Sequence, residues 1–537
     1  MKIVIPMSGT GDRFLRKGYK DPKPLIEVEG MPIIEHVVNM FSKDDEYVFI
    51  CNREHLKETD MLETLQRIKP KGTIVEIDKH KYGPVYAVKQ AFDQIIDDEQ
   101  VIVNYCDFSV WWDYNRFKKA MKEKDCDGCI TAYKDFHPHT LGNTLYGYIR
   151  WDADNYLLEI REKEAFTDNR MKEYASSGTY YFKKGRYVKK YFSQLLDKNI
   201  HKNGEYYVSL VYNLMYVDGL RTYIYELDHF LQWGTPEELR EYLHWSGTFR
   251  SKINKQVTYD RIIEKDLTLM IPLAGEGSRF RKDGIAAPKP LINVSGNPMI
   301  IQAVRDLPTA AHNVFLCRKE HLIDHHLDTL LRGNFPDSRI IAVDKLTQGQ
   351  ACTCLLAEKQ IDQKKPLLIG ACDNGLIWNY VKYTDLVSDP RIDAIIWTFR
   401  ENVTVERNPH MYGWVETDRH GKALRVSCKK PLSDDPVRDH AIVGTFYFRK
   451  AGYFFENAQD MVNKDRRING EFYVDECMNE LIEKGLHVSV FEVDRYLCWG
   501  TPNDHKTYSY WQEYFNKAPH HPYTKEKDED FSRQEKK

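Results

Sequence analysis

The chain has 537 residues, of which 42% are hydrophobic and 29% charged, so it is long enough for two or more folded domains and too apolar for a disordered protein. Lysine and arginine total 77 against 80 aspartates and glutamates, and the formal charge of -3 gives no general reason to expect nucleic acid or an anionic membrane as a partner. No apolar run reaches the roughly 20 residues that a bilayer requires, and the 11 cysteines lack a disulfide spacing, so we expect a cytoplasmic protein without membrane insertion.

Short strand-like runs alternate with helix-length segments along the first half. Strands are predicted for KIVIP, YVFIC, TIVEI and VIVNY, and helices for EHLKETDMLETLQRI at 54–68 and YAVKQAFDQII at 86–96. This alternation predicts an α/β fold in which crossover helices join parallel strands. In such sheets ligands bind at the carboxyl ends of the strands, which is where the glycines and aspartates of this sequence fall.

The second half repeats the first at a constant offset. Arg279 follows Arg13, and Asp373 follows Asp107, by 266 positions, and the WGTP at 233 recurs at 499. Runs predicted as strands, TLMIP, NVFLC, IIAVD and LLIGA, recur in the same order. Each copy is too long for a solenoid repeat, so the pattern indicates two complete domains of similar fold.

Four segments follow from this duplication. Residues 1–250 and 267–514 are the two predicted domains. The polar stretch 251–266 has neither proline nor glycine, and we interpret it as a short helical linker. The charged segment 515–537 is predicted to be a disordered tail.

A glycine-rich turn follows the first strand of each copy, SGTGDRF in one and AGEGSRF in the other. Glycines let the backbone turn sharply and approach a ligand, and N–H groups at the start of the following helix favour an anion, although a tight turn with solvated basic residues would explain a single copy equally well. Both copies add an arginine and then a lysine inside PKPL, which together can hold two phosphates of one chain. The predicted polyphosphate residues are Gly9, Gly11, Arg13 and Lys23, and Gly275, Gly277, Arg279 and Lys289.

An aspartate follows an apolar run in each copy, in VIVNYCDF and LLIGACDN. A carboxylate at the end of a strand can take one position on Mg²⁺, which needs only one or two protein carboxylates besides substrate phosphate. A turn or helix cap is the alternative use of such an aspartate. Beside the glycine and basic residues, we interpret Asp107 and Asp373 as magnesium ligands.

The order of these motifs resembles that of the sugar-phosphate nucleotidyltransferases, the family of glucose-1-phosphate thymidylyl- and uridylyltransferases. GxGxRF, PKPL, the strand-end aspartate, a lysine ahead of SGTYYF, and NGEYY followed by WGTPEEL extend the likeness over nearly all of both copies. Within the family, the set most resembles enzymes of bacterial capsular and surface polysaccharide gene clusters. The resemblance implies tandem Rossmann-like, GT-A-like domains with mixed, mainly parallel sheets, Mg²⁺ as cofactor, and a nucleoside triphosphate and a sugar phosphate or similar phosphomonoester as partners.

The resemblance also implies roles for individual residues. The glycines of the turn would line the triphosphate, the arginine and lysine would grip it, and the strand-end aspartates would hold Mg²⁺. Residues that match the acceptor-binding positions are Lys163, Gly178 and Glu205, and Lys429, Gly444 and Glu471. Residues that match the nucleotide-binding loop after the third strand are Gly83, Gln348 and Gly349.

The sequence departs from the family pattern at the second metal ligand and at the nucleotide loop of the first copy. Gln232 and Cys498 stand where many relatives have a second metal-binding aspartate, so we interpret Asp228 and Asp494, four residues earlier, as substitutes. The loop LTQGQA of the second copy matches the usual nucleotide loop, whereas HKYGPVYA of the first does not. The two sites therefore prefer different nucleotides, or one copy has lost activity.

The implied reaction is attack by a phosphomonoester oxygen on the α-phosphorus of the triphosphate, with release of pyrophosphate. A monoester is mostly dianionic at neutral pH, so the reaction needs charge neutralisation rather than a general base. One rival is a nucleotide-sugar-dependent glycosyltransferase, but NYCDFS and GACDNG lack the DxD of that class. Another is a sensor that binds nucleotide or sugar phosphate without turnover.

Overall fold

The computed structural model describes residues 1–142, 146–254 and 264–532. The chain forms two compact units, Met1–Leu243 (unit 1) and His244–Lys537 (unit 2). Among the described residues, no helix combines the length and the apolar character that a membrane span requires.

Unit 1 is built from strands that alternate with short helices. The strands are β1 (Lys2–Met7), β2 (Glu27–Val28), β3 (Met31–Pro32), β4 (Glu46–Asn52), β5 (Thr73–Ile77), β6 (Val101–Asn104), β7 (Phe108–Trp111), β8 (Gly128–Tyr133), β9 (Gly147–Trp151), β10 (Leu157–Glu162), β11 (Tyr174–Phe182), β12 (Thr222–Glu226) and β13 (His229–Gln232). The helices are α1 (Asp12–Arg16), α2 (Ile33–Val38), α3 (Arg53–Glu58), α4 (Met61–Ile68), α5 (Pro84–Lys89), α6 (Tyr114–Glu123), α7 (Gly185–Asp197), α8 (Val211–Val217) and α9 (Pro236–Ile253), which continues past the end of unit 1.

The main sheet of unit 1 is mixed, as predicted. Its order is β10-β9-β11-β6-β1-β4-β5, with β8 beside β11 and β12 beside β8. The predicted parallel strands β1, β4, β5 and β6 are confirmed, and β11 runs antiparallel to β6, β8 and β9. The sheet core is apolar because strands such as β1 are buried along almost their whole length, which is typical of strands covered on both faces.

The predicted helix at 54–68 is two helices, α3 and α4. Thr59 adopts an extended conformation and its hydroxyl donates to the carbonyl of His55 at 2.6 Å, so it ends α3. The predicted helix at 86–96 is also shorter, since α5 ends at Lys89 and a single 3₁₀ turn follows at Phe92–Gln94.

Unit 2 repeats this arrangement. Its strands are β14 (Glu264–Leu273), β15 (Asn293–Val294), β16 (Asn297–Pro298), β17 (Ala310–Arg318), β18 (Arg339–Val343), β19 (Leu367–Ile369), β20 (Asn374–Ile377), β21 (Ala394–Phe399), β22 (Gly413–Thr417), β23 (Ala423–Cys428), β24 (His440–Phe448), β25 (Val488–Glu492) and β26 (Arg495–Cys498). Its helices are α10 (Ser278–Lys282), α11 (Met299–Arg305), α12 (Lys319–His325), α13 (Leu327–Asn334), α14 (Gln350–Leu355), α15 (Tyr380–Ser388), α16 (Ala451–Asn463), α17 (Val474–Glu483), α18 (Pro502–Lys517) and α19 (Glu529–Ser532).

The main sheet of unit 2 has the order β18-β17-β14-β19-β24-β21-β25, with β22 and β23 paired beside β24. β14 pairs in parallel with β17 and β19, and β24 runs antiparallel to β19, β21 and β22. This is the strand order of unit 1 repeated, so the two sequence copies fold as two similar α/β units.

The predicted linker differs from the structure at both ends. Residues 251–253 belong to α9, and residues 264–266 belong to β14. Residues 255–263 of the predicted linker lie outside the described residues.

The tail predicted to be disordered from residue 515 is folded as far as residue 532. Tyr523 is fully buried, and Lys252 near the end of α9 pairs with Asp528 at 3.3 Å and Asp530 at 2.5 Å. The charges that suggested a solvated tail include the partners of this buried lysine. Residues 533–537 lie outside the described residues.

Candidate active site

The glycine turn of unit 1 lies against the PKPL segment. Gly11 has a φ of 68°, a left-handed conformation that favours glycine, and it precedes α1. A side-chain carbon at Gly11 would lie 3.9 Å from the backbone nitrogen of Lys23. Lys23 begins a 3₁₀ turn directly after Pro22, so proline geometry fixes the point from which its side chain leaves the backbone.

Asp107 lies between β6 and β7, at the predicted strand end. Its carboxylate accepts a hydrogen bond of 2.8 Å from Nζ of Lys23. Its backbone carbonyl accepts the N–H of Trp233 at 2.9 Å, because β7 pairs antiparallel with β13. The two motifs CDF and WGTP are therefore joined at one point of the fold.

Positive charge exceeds negative charge at this point. Burial alone would lower the pKa of Lys23, but the Asp107 carboxylate outweighs burial and holds that pKa above its ordinary value. The exposed Arg13 adds a second positive charge and, among the described residues, makes no hydrogen bond or ion pair. Two cations against one carboxylate favour an anionic ligand.

These groups face a cavity of 540 Å³. Every predicted site residue of the first copy lines it except Asp228, namely Gly9, Gly11, Arg13, Lys23, Gly83, Asp107, Lys163, Gly178 and Glu205. The structure therefore brings together residues that are nearly 200 positions apart in the sequence.

A chain of polar groups surrounds Lys163 in the wall of the cavity. Nζ of Lys163 donates to the hydroxyl of Tyr207 at 2.5 Å, and that hydroxyl donates to Glu205. The neighbouring Glu162 is buried and accepts a hydrogen bond of 2.6 Å from Oγ of Ser209. Burial raises the pKa of Glu162 to about 7.

The loop between β5 and α5 forms another part of the cavity wall. Gly83 lies against the backbone of Tyr206, which directly follows Glu205. The N–H of Tyr82 donates to Nδ1 of His80 at 3.2 Å, so the neutral ring carries its proton on Nε2, which lies 3.0 Å from Oγ of Ser8. Burial lowers the pKa of His80, which favours this neutral form. The Ser8 hydroxyl is then free to donate a hydrogen bond into the cavity.

Asp228 does not lie at this site. It precedes β13 and is exposed, whereas Asp107 lies beyond the other end of β13, where Gln232 pairs with Phe108. Four residues of strand, roughly 13 Å, separate the two ends. Asp494 precedes β26 in the same way, at the end opposite Asp373. The register of these short strands therefore places neither aspartate beside its predicted partner.

Unit 2 repeats the ionic centre. Nζ of Lys289 donates to Asp373 at 2.5 Å, and the N–H of Trp499 donates to the carbonyl of Asp373 at 2.9 Å. Gly277 has a φ of 62° before α10, and Arg279 is exposed beside it. Gly275 has open space around it.

The other predicted residues of unit 2 occupy matching elements. Gly444 lies within β24, as Gly178 lies within β11, and both have positive φ. The ammonium group of Lys429 lies 5.2 Å from the ring centre of Tyr473, whose hydroxyl bonds Glu471.

The nucleotide loops differ between the units. Leu346 and Ala274 stand where unit 1 has His80 and Ser8. Gly349 lies against the backbone of Phe472, and Oε1 of Gln348 accepts a hydrogen bond of 3.0 Å from Arg467. The two loops thus present different polar groups.

The donor set around Asp107 fits a metal that is held mainly by its substrate. Among the described residues, no group of three or more His, Cys, Asp or Glu side chains could hold a metal. A single carboxylate is sufficient for Mg²⁺ when phosphate oxygens and water complete its shell.

A further acid, Glu238, lies close enough to feel the charge of Asp107, but its carboxylate is hydrogen-bonded to other residues. Glu238 accepts hydrogen bonds from the N–H of Thr235 at 2.9 Å and from the hydroxyl of Tyr146 at 3.0 Å. Burial raises the pKa of Glu238 to about 7. Thr235 and Glu238 form a capping box at the start of α9, and we assign Glu238 that structural role.

Sequence reasoning missed several polar residues that line the cavity, among them Ser8, His80, Glu162 and Tyr207. Glu162 and Tyr207 each lie within two positions of a predicted residue, Lys163 and Glu205, and this proximity in sequence is a signal that could have found them. The pairing of Ser8 with His80 joins positions 72 apart, and no local pattern predicts it.

A sequence model of the family described as Nucleotidyl transferase matches residues 2–219 and 269–512. The chain belongs to this family. Each of the two matched segments lies entirely within one unit, so both copies of the duplication are members.

Individual relatives share about a quarter of their residues with the matched part of this chain. The bifunctional protein GlmU of Staphylococcus epidermidis is 25% identical over 236 residues, which cover 42% of this chain and 48% of that protein. The UTP–glucose-1-phosphate uridylyltransferase AglF of Haloferax volcanii is 27% identical over 235 residues, which cover 43% of this chain and 90% of that protein. The chain thus spans about half the length of the GlmU relatives that it matches.

Among solved structures, the chain is similar to a nucleoside-diphosphate-sugar pyrophosphorylase from Vibrio cholerae, with 20% identity and a TM-score of 0.36, covering 44% of this chain and 97% of that one. Another is the inositol-1-phosphate CTP transferase from T. maritima, with 12% identity and a TM-score of 0.36, covering 46% of this chain and 95% of that one.

Proposed function

We propose that the protein transfers a nucleotidyl group from a nucleoside triphosphate to a sugar phosphate or similar phosphomonoester and releases pyrophosphate. The main support is the juxtaposition of Arg13, Lys23 and Asp107 in a cavity that also contains Lys163. Arg13, Lys23 and Lys163 can neutralise two phosphorylated reactants that would otherwise repel each other. Family membership and the names of the relatives agree with this chemistry.

In the proposed reaction, the residues of unit 1 mainly position the two reactants and neutralise the charge of their phosphates. Arg13 and Lys23 grip the triphosphate beside the glycine turn, while Lys163, oriented by Tyr207, holds the phosphate of the acceptor. An acceptor oxygen attacks the α-phosphorus, the bond from that phosphorus to the β-phosphate oxygen breaks, and pyrophosphate leaves with the negative charge. Arg13 and Lys23 stabilise that charge.

Asp107 and Asp373 are the residues that would hold Mg²⁺. The metal, when bound, would neutralise phosphate charge. Because Lys23 and Lys289 pair with these carboxylates, each lysine would turn toward a phosphate as the reactants enter.

The test is a pyrophosphate-release assay over the common nucleoside triphosphates and several phosphomonoesters, with and without Mg²⁺. We expect magnesium-dependent release with at least one pair of substrates. A sensor would bind the nucleotide and release no pyrophosphate, whereas a glycosyltransferase would require a preformed nucleotide sugar. Either result would contradict the proposal.

The purpose and location of the reaction stay predictions from the sequence. We propose that the product serves the synthesis of capsular or surface polysaccharide in the cytoplasm. The different nucleotide loops favour different nucleotides for the two units, which the same assay would separate when one unit is silenced.

A further inference from the structure

A short hairpin begins directly after Lys289, the proposed triphosphate lysine of unit 2. Lys289 opens a 3₁₀ turn, and its carbonyl accepts the N–H of Ile292 at 3.2 Å. β15 and β16 then pair with each other, and the N–H of Met299 donates to the carbonyl of Ile292 at 2.8 Å. The hairpin is thus a small closed loop whose position sets where the backbone of Lys289 lies.

Two polar side chains of this hairpin are buried under later parts of the chain. Ser295 and Asn297 are each 5% exposed. Nδ2 of Asn297 donates to the backbone carbonyl of Asp530 at 2.7 Å. The hydroxyl of Ser295 accepts from Nε2 of Gln512 at 2.9 Å and shares a hydrogen bond of 2.7 Å with the hydroxyl of Tyr508. The hairpin is therefore attached both to α18 and to the segment that follows α18.

Residues 518–532, the C-terminal segment, are themselves fixed to α18 and to the end of α9. Tyr523 is fully buried, and its hydroxyl donates to Asp528 at 2.8 Å and accepts from Nε2 of Gln512 at 3.0 Å. Lys252 in α9 pairs with Asp528 at 3.3 Å. Gln512 thus contacts the hairpin and the C-terminal segment with the same amide group.

Helix α18 also leads to the other partner of the ionic centre. It begins three residues after Trp499, whose N–H donates to the carbonyl of Asp373 at 2.9 Å. A side-chain carbon at Gly500 would lie 3.1 Å from the carboxylate of Asp373. Further along α18, Nε2 of His505 donates to the carbonyl of Asn293 in the hairpin at 2.8 Å. The helix is thus joined to Asp373 at its start and to the hairpin along its length.

The C-terminal segment therefore holds together the two elements that carry the ionic centre of unit 2. The hairpin leads to Lys289, and α18 leads to Asp373, which accepts the hydrogen bond of that lysine at 2.5 Å. Because a buried polar group is costly to leave without a partner, the hairpin has little freedom to move away from α18.

Unit 1 has the hairpin and the helix, but among its described residues it has no counterpart of the C-terminal segment. The hairpin positions that match Ser295 and Asn297 are Glu29 and Met31, and both are partly exposed. The positions that correspond to the C-terminal segment are 252–266, and they include the end of α9 and the start of β14, which belong to unit 2. The support is therefore specific to unit 2.

We propose that Ser295 and Asn297 are positioning residues of the unit 2 site, and that the C-terminal segment acts through them to hold Lys289 in place for the triphosphate. A lysine that stabilises charge on the leaving pyrophosphate must keep its place as that charge develops, and a displacement of about 1 Å can cost about 10²-fold in rate. This inference rests on the proposed function. It adds that the end of the chain supports the reaction of unit 2.

The test measures the reaction of unit 2 alone, in full-length chains whose unit 1 is silenced by Asp107→Ala. Ser295→Ala and Asn297→Ala each remove one attachment of the hairpin, and Glu526→Gln, at an exposed position of the C-terminal segment, is the control. The kcat and the KM values for nucleotide and acceptor are determined below the unfolding temperature of each variant. Amide hydrogen exchange in the hairpin reports its mobility without turnover.

We expect both hairpin variants to raise the nucleotide KM, so that kcat/KM for the nucleotide falls about 10- to 100-fold, and to leave the acceptor KM unchanged. Amide exchange in the hairpin should become faster, and the control should match the parent chain in every measurement. The reaction of unit 1, measured in the Asp373→Ala chain, should not change. A loss of folded protein would lower kcat and leave both KM values as they are, so the KM values separate positioning from stability.

The double variant of Asn297→Ala with Lys289→Met shows whether the hairpin acts through the lysine. If it does, Asn297→Ala has no further effect on the nucleotide KM in the Lys289→Met chain, whereas independent effects would multiply.

An unchanged nucleotide KM in the hairpin variants, effects that multiply, or an equal loss in the reaction of unit 1 would overturn the inference. It also fails, while the proposed function stands, if the unaltered chain is active and the Asp107→Ala chain is not. Failure of the proposed function looks different, because the unaltered chain then releases no pyrophosphate with any pair of substrates.

Discussion

At the scale of single residues, the proposed triphosphate site depends on Lys23 and on Asp107, which pairs with it in the cavity. The test variant is Lys23→Met in a chain whose unit 2 is silenced by Asp373→Ala. It removes one of the cations that grip the triphosphate. We expect pyrophosphate release to fall by about 10²- to 10³-fold. Lys17→Met is the matched control, since Lys17 is exposed, pairs only loosely with Glu237 at 3.7 Å and does not line the cavity. Equal rates in the two variants would contradict the assignment.

Glu162 predicts a dependence of stability on pH. Its pKa in the folded protein, about 7, is above the ordinary value of 4.5, so between these pH values the folded protein keeps a proton that the unfolded chain has lost. The contribution of Glu162 to the free energy of unfolding therefore falls as pH rises from about 4.5 to about 7, by about 3 kcal/mol in total, and is constant above that range.

Glu162→Gln should remove this part of the fall. Urea unfolding at about pH 5 and about pH 8 measures the difference, and the exposed Glu63→Gln should retain the behaviour of the unaltered chain. A pH dependence that is identical in all three proteins would show that the Glu162 carboxyl titrates normally.

At the scale of elements, the C-terminal segment is a folded part of unit 2. Lys252 is 4% exposed, and Asp528 and Asp530, its two partners, are 1% and 8% exposed. Burial alone would lower the pKa of Lys252, but the two aspartates hold that pKa well above its ordinary value. Lys252→Met should lower the free energy of unfolding by about 3 to 5 kcal/mol, because it leaves two acids buried without their cation.

Chemical denaturation checks this prediction. Removing the acids as well, with Asp528→Asn and Asp530→Asn, should return part of the lost stability, whereas Glu526→Gln, at an exposed position of the same segment, should have no effect. If Lys252→Met is as stable as the unaltered chain, the segment does not depend on the ion pairs.

The central strands could be predicted from the sequence because each is a continuous apolar run. The break at Thr59 within the predicted helix could not, since a local hydroxyl contact decides it. The glycine, arginine and lysine of the cavity could be predicted because the duplication shows them twice at fixed spacing. Asp228 was misplaced because only the register of β7 and β13 decides which end of the strand meets Asp107. The folded C-terminal segment could not be predicted either, because its buried aspartates pair with Lys252, more than 250 positions away.

At the scale of the whole molecule, the chain carries the same fold twice with the same ionic centre. Lys23 with Asp107, and Lys289 with Asp373, are equivalent pairs on equivalent elements. The nucleotide loops differ between the units. This combination is what we expect of a duplicated enzyme whose copies keep one chemistry and separate their substrates.

The most direct test of the proposed chemistry is the release of pyrophosphate by four proteins: the unaltered chain, Asp107→Ala, Asp373→Ala and the double variant. For any pair of substrates that the unaltered chain uses in the presence of Mg²⁺, we predict that one single variant abolishes release and that the double variant is inactive with every pair. Undiminished release by the double variant would contradict the claim that these two ionic centres carry out the reaction.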